Sequence, residues 1–103
     1  MKIVNAHPDI YKFISALDDE TVNQTTRVIE LLQLHEYRLR MPYSKKIEKD
    51  IYELRIKSIK NIRIFYAFYN DKIFLLHAVN KEKQKLLSKD IDTARRRFTH
   101  LRS

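Results

Sequence analysis

The chain has 103 residues, a length typical of one domain with a modest core. It has no cysteine and no glycine, which excludes disulfide frameworks, thiolate metal sites and glycine-rich phosphate loops. Its four histidines lack ligand spacing, and no segment approaches the roughly twenty apolar residues of a membrane span. We therefore expect a single domain over residues 1–103 in the cytoplasm, with no metal, no cofactor and no membrane.

The net charge of +8 lies entirely in the second half of the chain. Residues 1–50 hold eight Lys/Arg against eight Asp/Glu, whereas residues 51–103 hold thirteen against five. A one-sided basic half is typical of proteins with a phosphate-rich partner or an acidic protein partner. Composition leaves both kinds of partner open.

The first part of the chain predicts a short strand followed by two helices. Residues 2–4 are a candidate edge strand, and a proline suits the first position of a helix predicted over residues 8–17. A second helix, capped by Asp18 or Asp19, is expected to run to about His35. Two consecutive helices before the strands predict a helical hairpin on one side of a sheet.

The segment 38–50 lacks a clear period and contains a proline, so it is predicted to be a loop. It carries Lys45, Lys46 and Lys49 beside the sheet. Loops held by a rigid scaffold often carry functional residues.

Residues 51–85 contain three apolar runs that carry isolated basic residues, and the lysines at 81, 83 and 85 follow the third run. Alternate residues of a strand face opposite sides. Glu53 and Arg55 are therefore expected on a polar face of the first strand, opposite Tyr52 and Leu54.

The second and third strands are expected to form a hairpin, because Asn70-Asp71 tolerates the positive dihedral angles of a tight turn. Ser88 is predicted to cap a closing helix, on which Ile91, Ala94 and Phe98 share one face. The predicted fold is α+β: a small antiparallel sheet of three to four strands, an N-terminal helical hairpin and a C-terminal helix.

A series of short motifs follows the predicted elements in order. They are Leu39-x-x-Pro42, Lys45-Lys46-Ile47, Tyr52-Glu53-Leu54-Arg55, Arg63-Ile64-x-Tyr66, Leu75-Leu76-His77, then Lys81, Gln84 and Lys85, and finally Ile91 and Ala94. In this order and spacing the chain resembles the RelE/ParE toxin superfamily, specifically its phage-derived Gp49-like branch, which includes HigB toxins. It departs from the branch pattern at Ala78, Glu82 and Leu87, where glycine, lysine and proline are usual.

The resemblance implies a RelE-like toxin of a type II toxin–antitoxin system, acting as a ribosome-dependent mRNA endoribonuclease without a metal. Its partners would be a cognate antitoxin, expected to be a helix-turn-helix protein, together with the ribosome and mRNA. Two alternatives stay open: a ParE-like inhibitor of DNA gyrase that acts by protein binding, and a basic RNA-binding module without catalysis.

Candidate catalytic residues follow from the chemistry of RNA cleavage, which needs cations on the phosphate and groups that exchange protons. Arg55 and Arg63 are candidates to clamp phosphate, since a guanidinium offers forked donors. Lys81 and Lys85 are candidates for proton exchange, because crowded cations disfavour an ammonium. The alternative for the arginines is pairing with Glu53, and for the lysines a solvated strand end.

A further set of residues is interpreted as contacts to RNA. It comprises Lys45, Lys46, Lys49, Tyr66, Arg95, Arg96 and Arg97. Core packing is the alternative for Tyr66, and solubility of the closing helix is the alternative for the three arginines. His77 is interpreted as a structural residue rather than an acid or base.

Overall fold

One mixed β-sheet with helices on both faces makes up the fold. The computed structural model describes residues 1–81 and 88–103, and these residues contain three α-helices and five strands. The strands are β1 (Val4–Ala6), β2 (Ser44–Glu48), β3 (Ile51–Lys57), β4 (Asn61–Tyr69) and β5 (Lys72–Asn80); the helices are α1 (Pro8–Ser15), α2 (Asp19–His35) and α3 (Ser88–Arg102). This is the predicted α+β class, broadly consistent with a small RelE-like fold.

The sheet differs from the prediction in strand number and in direction. Its order is β1-β5-β4-β3-β2, so it has five strands rather than three or four. β1 pairs parallel to β5, whereas all other neighbours are antiparallel, which makes the sheet mixed. The N-terminal strand lies at Val4–Ala6 rather than residues 2–4, and its pairing continues into a bond from the His7 amide to the Leu75 carbonyl at 3.0 Å.

The predicted loop over residues 38–50 contains an edge strand, β2, which corrects that prediction. Its backbone pairs antiparallel with β3, with Ser44 opposite Leu54 and Lys45 opposite Glu53. Edge strands commonly carry lysines, which discourage pairing with other chains. β2 was not predicted because Lys45 and Lys46 interrupt the alternation of apolar and polar residues by which strands are recognised.

The two N-terminal helices form as predicted, with one difference in length. Asp18 is the N-cap of α2, where its Oδ2 accepts a hydrogen bond of 2.9 Å from the Thr21 amide. α1 ends two residues before the predicted Leu17. The amides of Ala16 and Leu17 bond to carbonyls three residues back, at 3.3 and 3.1 Å, and this tightens the last turn.

The predicted hairpin at Asn70-Asp71 is confirmed. Both residues have positive φ, 51° and 61°, and they join β4 to β5. Further along this pair, Tyr66 lies opposite Leu75 and Phe65 opposite His77, so Leu76 is an extra residue in β5. A β-bulge of this kind leaves backbone groups unpaired and re-aims the neighbouring side chains.

The sheet separates two apolar clusters. α1 and α2 cover one face, where Ile10, Val28 and Leu32 pack on strand residues that include Ile64. α3 covers part of the other face with Ala94 and Phe98.

The face of β3 that was predicted to be polar is only partly so. Ile51 packs under α3, whereas Glu53 and Arg55 continue beyond it along the same side of the strand. Glu53 is 1% exposed, so this polar residue is buried rather than solvated.

The described helices are too short or too polar to cross a membrane; the longest, α2, has 17 residues.

Candidate functional site

Strand pairing brings several of the predicted basic residues together on the sheet face that α3 partly covers. Arg55 of β3 lies opposite Arg63 of β4, and Lys45 of β2 lies opposite Glu53 of β3. Lys81 follows β5, and its amide donates to the Asn61 carbonyl at 2.7 Å. We call Lys45, Arg55, Arg63 and Lys81 the cationic cluster; it surrounds the carboxylate of Glu53.

Glu53 contacts both arginines through one oxygen. Its Oε1 accepts a hydrogen bond of 2.8 Å from Arg55 Nε and lies 3.6 Å from Arg63 Nε. The exposed fractions of the side chains are 1% for Glu53, 10% for Arg63 and 22% for Arg55. The arginines therefore keep a partly accessible end while their inner ends meet a buried anion.

Arg63 is the most buried cation of the cluster. Burial lowers its pKa below the usual value; the Glu53 carboxylate opposes this shift, and the Arg55 charge adds to it. Its Nε has no hydrogen-bond partner among the described residues, and its Nη1 donates weakly to the Ile62 carbonyl at 3.4 Å. A guanidinium with spare donors in a partly dry site is suited to bind an oxyanion.

The pKa of the Lys81 side chain is lowered as well. Burial is the largest cause, and the charges of Arg63, Arg55 and Lys45 act in the same direction, while Glu53 opposes them. A lysine placed among cations releases its proton more readily than a solvated one. Proton exchange by Lys81 stays a prediction, and it requires a shift in this direction.

The three lysines of the β2 region, which include Lys45 of the cationic cluster, are exposed. Lys45 and Lys46 lie on β2, and Lys49 lies in the turn before β3. The Lys46 ammonium lies 5.8 Å from the centre of the Tyr52 ring, on the opposite side of β2 from the cationic cluster. These lysines remain available to a polyanion along the sheet edge.

Tyr66 belongs to the core, which corrects its interpretation as an RNA contact. Its side chain is 1% exposed, stacks on Tyr52 with ring centres 5.3 Å apart, and shares a hydrogen bond of 2.6 Å with the Ser44 hydroxyl. Burial raises the pKa of Tyr66 to about 12. Alternation along β4 turns this residue toward α1 and α2, away from the cationic cluster.

The three consecutive arginines of α3 have different surroundings. Arg95 bonds to Glu48 at 2.6 and 3.0 Å and to Asp92 at 2.7 Å. Arg97 donates to the Leu76 carbonyl at 2.9 Å and to Asp9 at 2.7 Å. Arg96 is exposed and makes no such bond within the described part of the chain, so intramolecular pairing competes with RNA contact at Arg95 and Arg97.

His77 connects the sheet to α3, in agreement with its structural interpretation. Its Nε2 lies 3.0 Å from Asp90 Oδ1, and its ring stacks on Phe65 with centres 6.1 Å apart. The partner Asp90 was not predicted from the sequence. The helix signal placed this residue in a first turn but gave no indication of the side chain across from it.

Five residues named from the sequence lie outside the described residues. They are the candidate Lys85, the neighbouring Lys83 and Gln84, and the departures Glu82 and Leu87. Ala78, the remaining departure, lies in β5 opposite Ile64 and packs against the larger apolar cluster. Within residues 1–81 and 88–103, no group of three or more His, Asp or Glu side chains could hold a metal ion.

The fold and the cluster define a small basic α+β protein with a group of basic side chains around a buried carboxylate on one sheet face. The family model described as "Phage derived protein Gp49-like (DUF891)" matches residues 12–99, and the chain therefore belongs to this family, a branch of the RelE-like toxins. No curated protein matches the chain.

Proposed function

We propose that this protein is the toxin of a type II toxin–antitoxin pair and that it acts in the cytoplasm. In this proposal it cleaves mRNA on the ribosome, as HigB-like toxins do. Membership of the Gp49-like family supports the toxin class. The observation that carries the nuclease proposal is the cationic cluster, in which Arg55, Arg63 and Lys81 meet around a buried carboxylate.

The cluster suits the charge changes of RNA cleavage. Attack of the 2′-oxygen on the adjacent phosphorus forms a bond there, breaks the bond to the 5′-oxygen, and leaves a cyclic phosphate and a 5′-hydroxyl. Negative charge grows on the phosphoryl oxygens on the way, and preorganised cations stabilise it. In this proposal Arg55 and Arg63 bind those oxygens.

Proton transfer is the second requirement. The 2′-hydroxyl loses a proton, and the leaving 5′-oxygen gains one. Lys81 has a lowered pKa, which suits such an exchange near neutral pH, and the resemblance implies the same role for Lys85. No step in this scheme uses a metal ion or a cofactor.

The proposal includes a cognate antitoxin of the helix-turn-helix type. The described chain exposes large apolar side chains at Leu34 (60%), Tyr37 (65%) and Met41 (54%). Tyr37 and Met41 line a groove of about 400 Å³ beside Arg40, Lys45 and Lys46. An acidic partner with apolar anchors would complement this groove.

The test is a reconstituted translation reaction in which new 5′ ends of mRNA are mapped with and without ribosomes. We expect cuts in register with codons that require ribosomes. Arg55→Ala, Arg63→Ala and Lys81→Ala should each slow cutting by roughly 100-fold, the typical effect of removing one preorganised donor. Lys85→Ala tests the candidate that rests on the resemblance alone.

Charge-matched controls come from the helices on the other sheet face. Arg27→Ala and Lys12→Ala remove exposed cations of α2 and α1, and both should cut at the parent rate. Intact mRNA with the parent protein would refute the nuclease, and inhibition of gyrase supercoiling would then be measured. Growth arrest on expression that the neighbouring reading frame relieves would support the toxin–antitoxin pair.

A further inference from the structure

Glu53 is a negative charge inside a group of cations that is proposed to bind an anion. The carboxylate repels a phosphate, and its burial costs solvation free energy that only close partners offset. Its side chain is 1% exposed, and it lies between Arg55 and Arg63 rather than among apolar residues alone. Because the carboxylate weakens phosphate binding, we expect Glu53 to contribute to activity in another way.

The contacts of Glu53 indicate what that function is. Both arginines approach the same oxygen, Oε1, through Nε, the inner nitrogen of each guanidinium. The described hydrogen bonds of Arg55 end there, and Arg63 adds only the weak bond of Nη1 to the Ile62 carbonyl. The terminal Nη groups are thus largely left to a ligand. The Nε of Arg55 donates a hydrogen bond to this oxygen, and the Nε of Arg63 lies near it, at 3.6 Å, through charge attraction alone.

Strand pairing makes this arrangement rigid. Arg55 and Arg63 lie directly opposite each other on β3 and β4, and Glu53 lies two residues from Arg55 on the same side of β3. Two like charges on facing positions repel each other. A carboxylate that contacts both of them offsets this repulsion and restricts the rotation of both side chains.

We propose that Glu53 is a positioning residue that holds Arg55 and Arg63 with their Nη groups directed at one phosphodiester. The inference rests on the proposed nuclease function and adds to it a residue that does not touch substrate. A misplacement of about 1 Å in such a group costs roughly 100-fold in rate.

The carboxylate also acts on Lys81. Among the described residues, the charges that bear on this ammonium are Arg63, Arg55 and Lys45, which lower its pKa, and Glu53, which raises it. Removal of the Glu53 charge therefore lowers the pKa of Lys81 further. The limb of the pH–rate profile that Lys81 controls should then move to lower pH.

Two variants separate the position of the carboxylate from its charge. Glu53→Gln keeps the shape and one acceptor but removes the charge. Glu53→Asp keeps the charge but withdraws it by one methylene, out of reach of both arginines together. Thermal unfolding of each variant confirms that the molecules compared are folded.

Cutting and binding are measured separately on the parent and both variants. Cutting rates at saturating substrate are recorded across pH, and affinity is recorded for a 2′-O-methyl RNA that cannot be cleaved. We expect both variants to cut about ten- to hundredfold more slowly. Glu53→Gln should bind this RNA at least as tightly as the parent, because the site has lost a negative charge. The pH–rate profile should move to lower pH in Glu53→Gln but not in Glu53→Asp, which keeps the charge.

A third readout is the NMR signal of the Nε–Hε groups of Arg55 and Arg63. In the parent these signals should be sharp and slow to exchange with water, and they should broaden in both variants. Unchanged signals, or parent-like cutting by folded Glu53→Gln, would overturn the positioning role. Absence of cutting by the parent would instead refute the nuclease, while the Nε–Hε signals would still decide whether Glu53 holds the arginines.

Discussion

Tyr66 illustrates how a residue within a functional motif can serve the core. Its hydroxyl meets the Ser44 hydroxyl at 2.6 Å, and both side chains are buried, at 1% and 4% exposed. This bond links β4 to the edge strand β2 across the intervening β3. A buried hydroxyl pair is favourable only while both partners are present, because an orphaned group bears its desolvation cost alone.

We expect Tyr66→Phe to reduce the free energy of unfolding at pH 7 by about 1 kcal/mol, since Ser44 loses its partner. The gap should narrow above pH 10 and reverse in sign before pH 12. Burial raises the pKa of folded Tyr66 to about 12 from 10.0, so the folded state keeps the proton longer than the unfolded chain. The parent therefore loses about 2–3 kcal/mol as pH rises from 10 to 12, a loss that the variant lacks.

Urea unfolding at pH 7, 10 and 12 measures this difference. Tyr37→Phe, at a position where the side chain is 65% exposed, is the matched control and should leave stability unchanged. A stability gap between parent and Tyr66→Phe that stays constant across this pH range would contradict the buried environment of the hydroxyl.

Arg55 and Arg63 show how far the site could be predicted at single residues. The motifs identified the arginines, and pairing with Glu53 was the alternative predicted for them. The joint contact of Glu53 with both arginines could not be foreseen, because it depends on the register that sets Arg55 opposite Arg63. Register depends on how two strands pair, so the sequence of one strand does not determine which residues lie opposite each other.

At the scale of elements, α3 is held to the rest of the molecule by polar contacts as well as by its apolar face. His77 contacts Asp90 near the start of the helix, and Arg97 contacts the bulge residue Leu76 further along. The bulge leaves the Leu76 carbonyl out of the β4–β5 pairing, and the Arg97 guanidinium satisfies it.

Arg97→Ala should therefore lower the free energy of unfolding by about 2 kcal/mol, the usual cost of losing a charged donor to a buried carbonyl. The exposed pair with Asp9 adds little to this value. The neighbouring exposed Arg96 offers a matched control with the same change of charge and helix propensity, and Arg96→Ala should leave stability within about 0.5 kcal/mol of the parent. Equal losses in urea unfolding of the two variants would remove the role of Arg97 as a tie between α3 and the bulge.

The elements with strong local signals were predicted well, and those without them were not. Asp18 caps α2, and Asn70-Asp71 turns the β4–β5 hairpin, because both depend on neighbours in sequence. β2 was missed because Lys45 and Lys46 interrupt any apolar alternation, and its pairing comes from β3. The parallel pairing of β1 with β5 joins residues about seventy positions apart, a separation that local patterns do not report.

At the scale of the whole molecule, the sheet divides the protein into a side covered by α1 and α2 and a side that holds the cationic cluster. Residues 1–50 are electrically balanced, and the excess of +8 comes from residues 51–103. Part of that excess is neutralised by ion pairs within the molecule, since Arg95, Arg97 and Arg102 lie close to carboxylates. The distribution of charge in space, rather than the net charge, thus determines where a polyanion meets the protein.

The last prediction tests that distribution with two double variants of equal net charge. Lys45→Gln/Lys46→Gln removes cations from the edge strand, and Lys12→Gln/Arg27→Gln removes exposed cations from the helices on the other face. Each phosphate contact contributes about 0.7 to the slope of log affinity against log salt for a single strand. The edge-strand variant should therefore lose a little over one from the slope measured with 2′-O-methyl RNA, and the helix variant should keep the parent slope. A proportional loss in both variants would mean that RNA responds only to net charge, and that the edge strand β2 has no special part in binding.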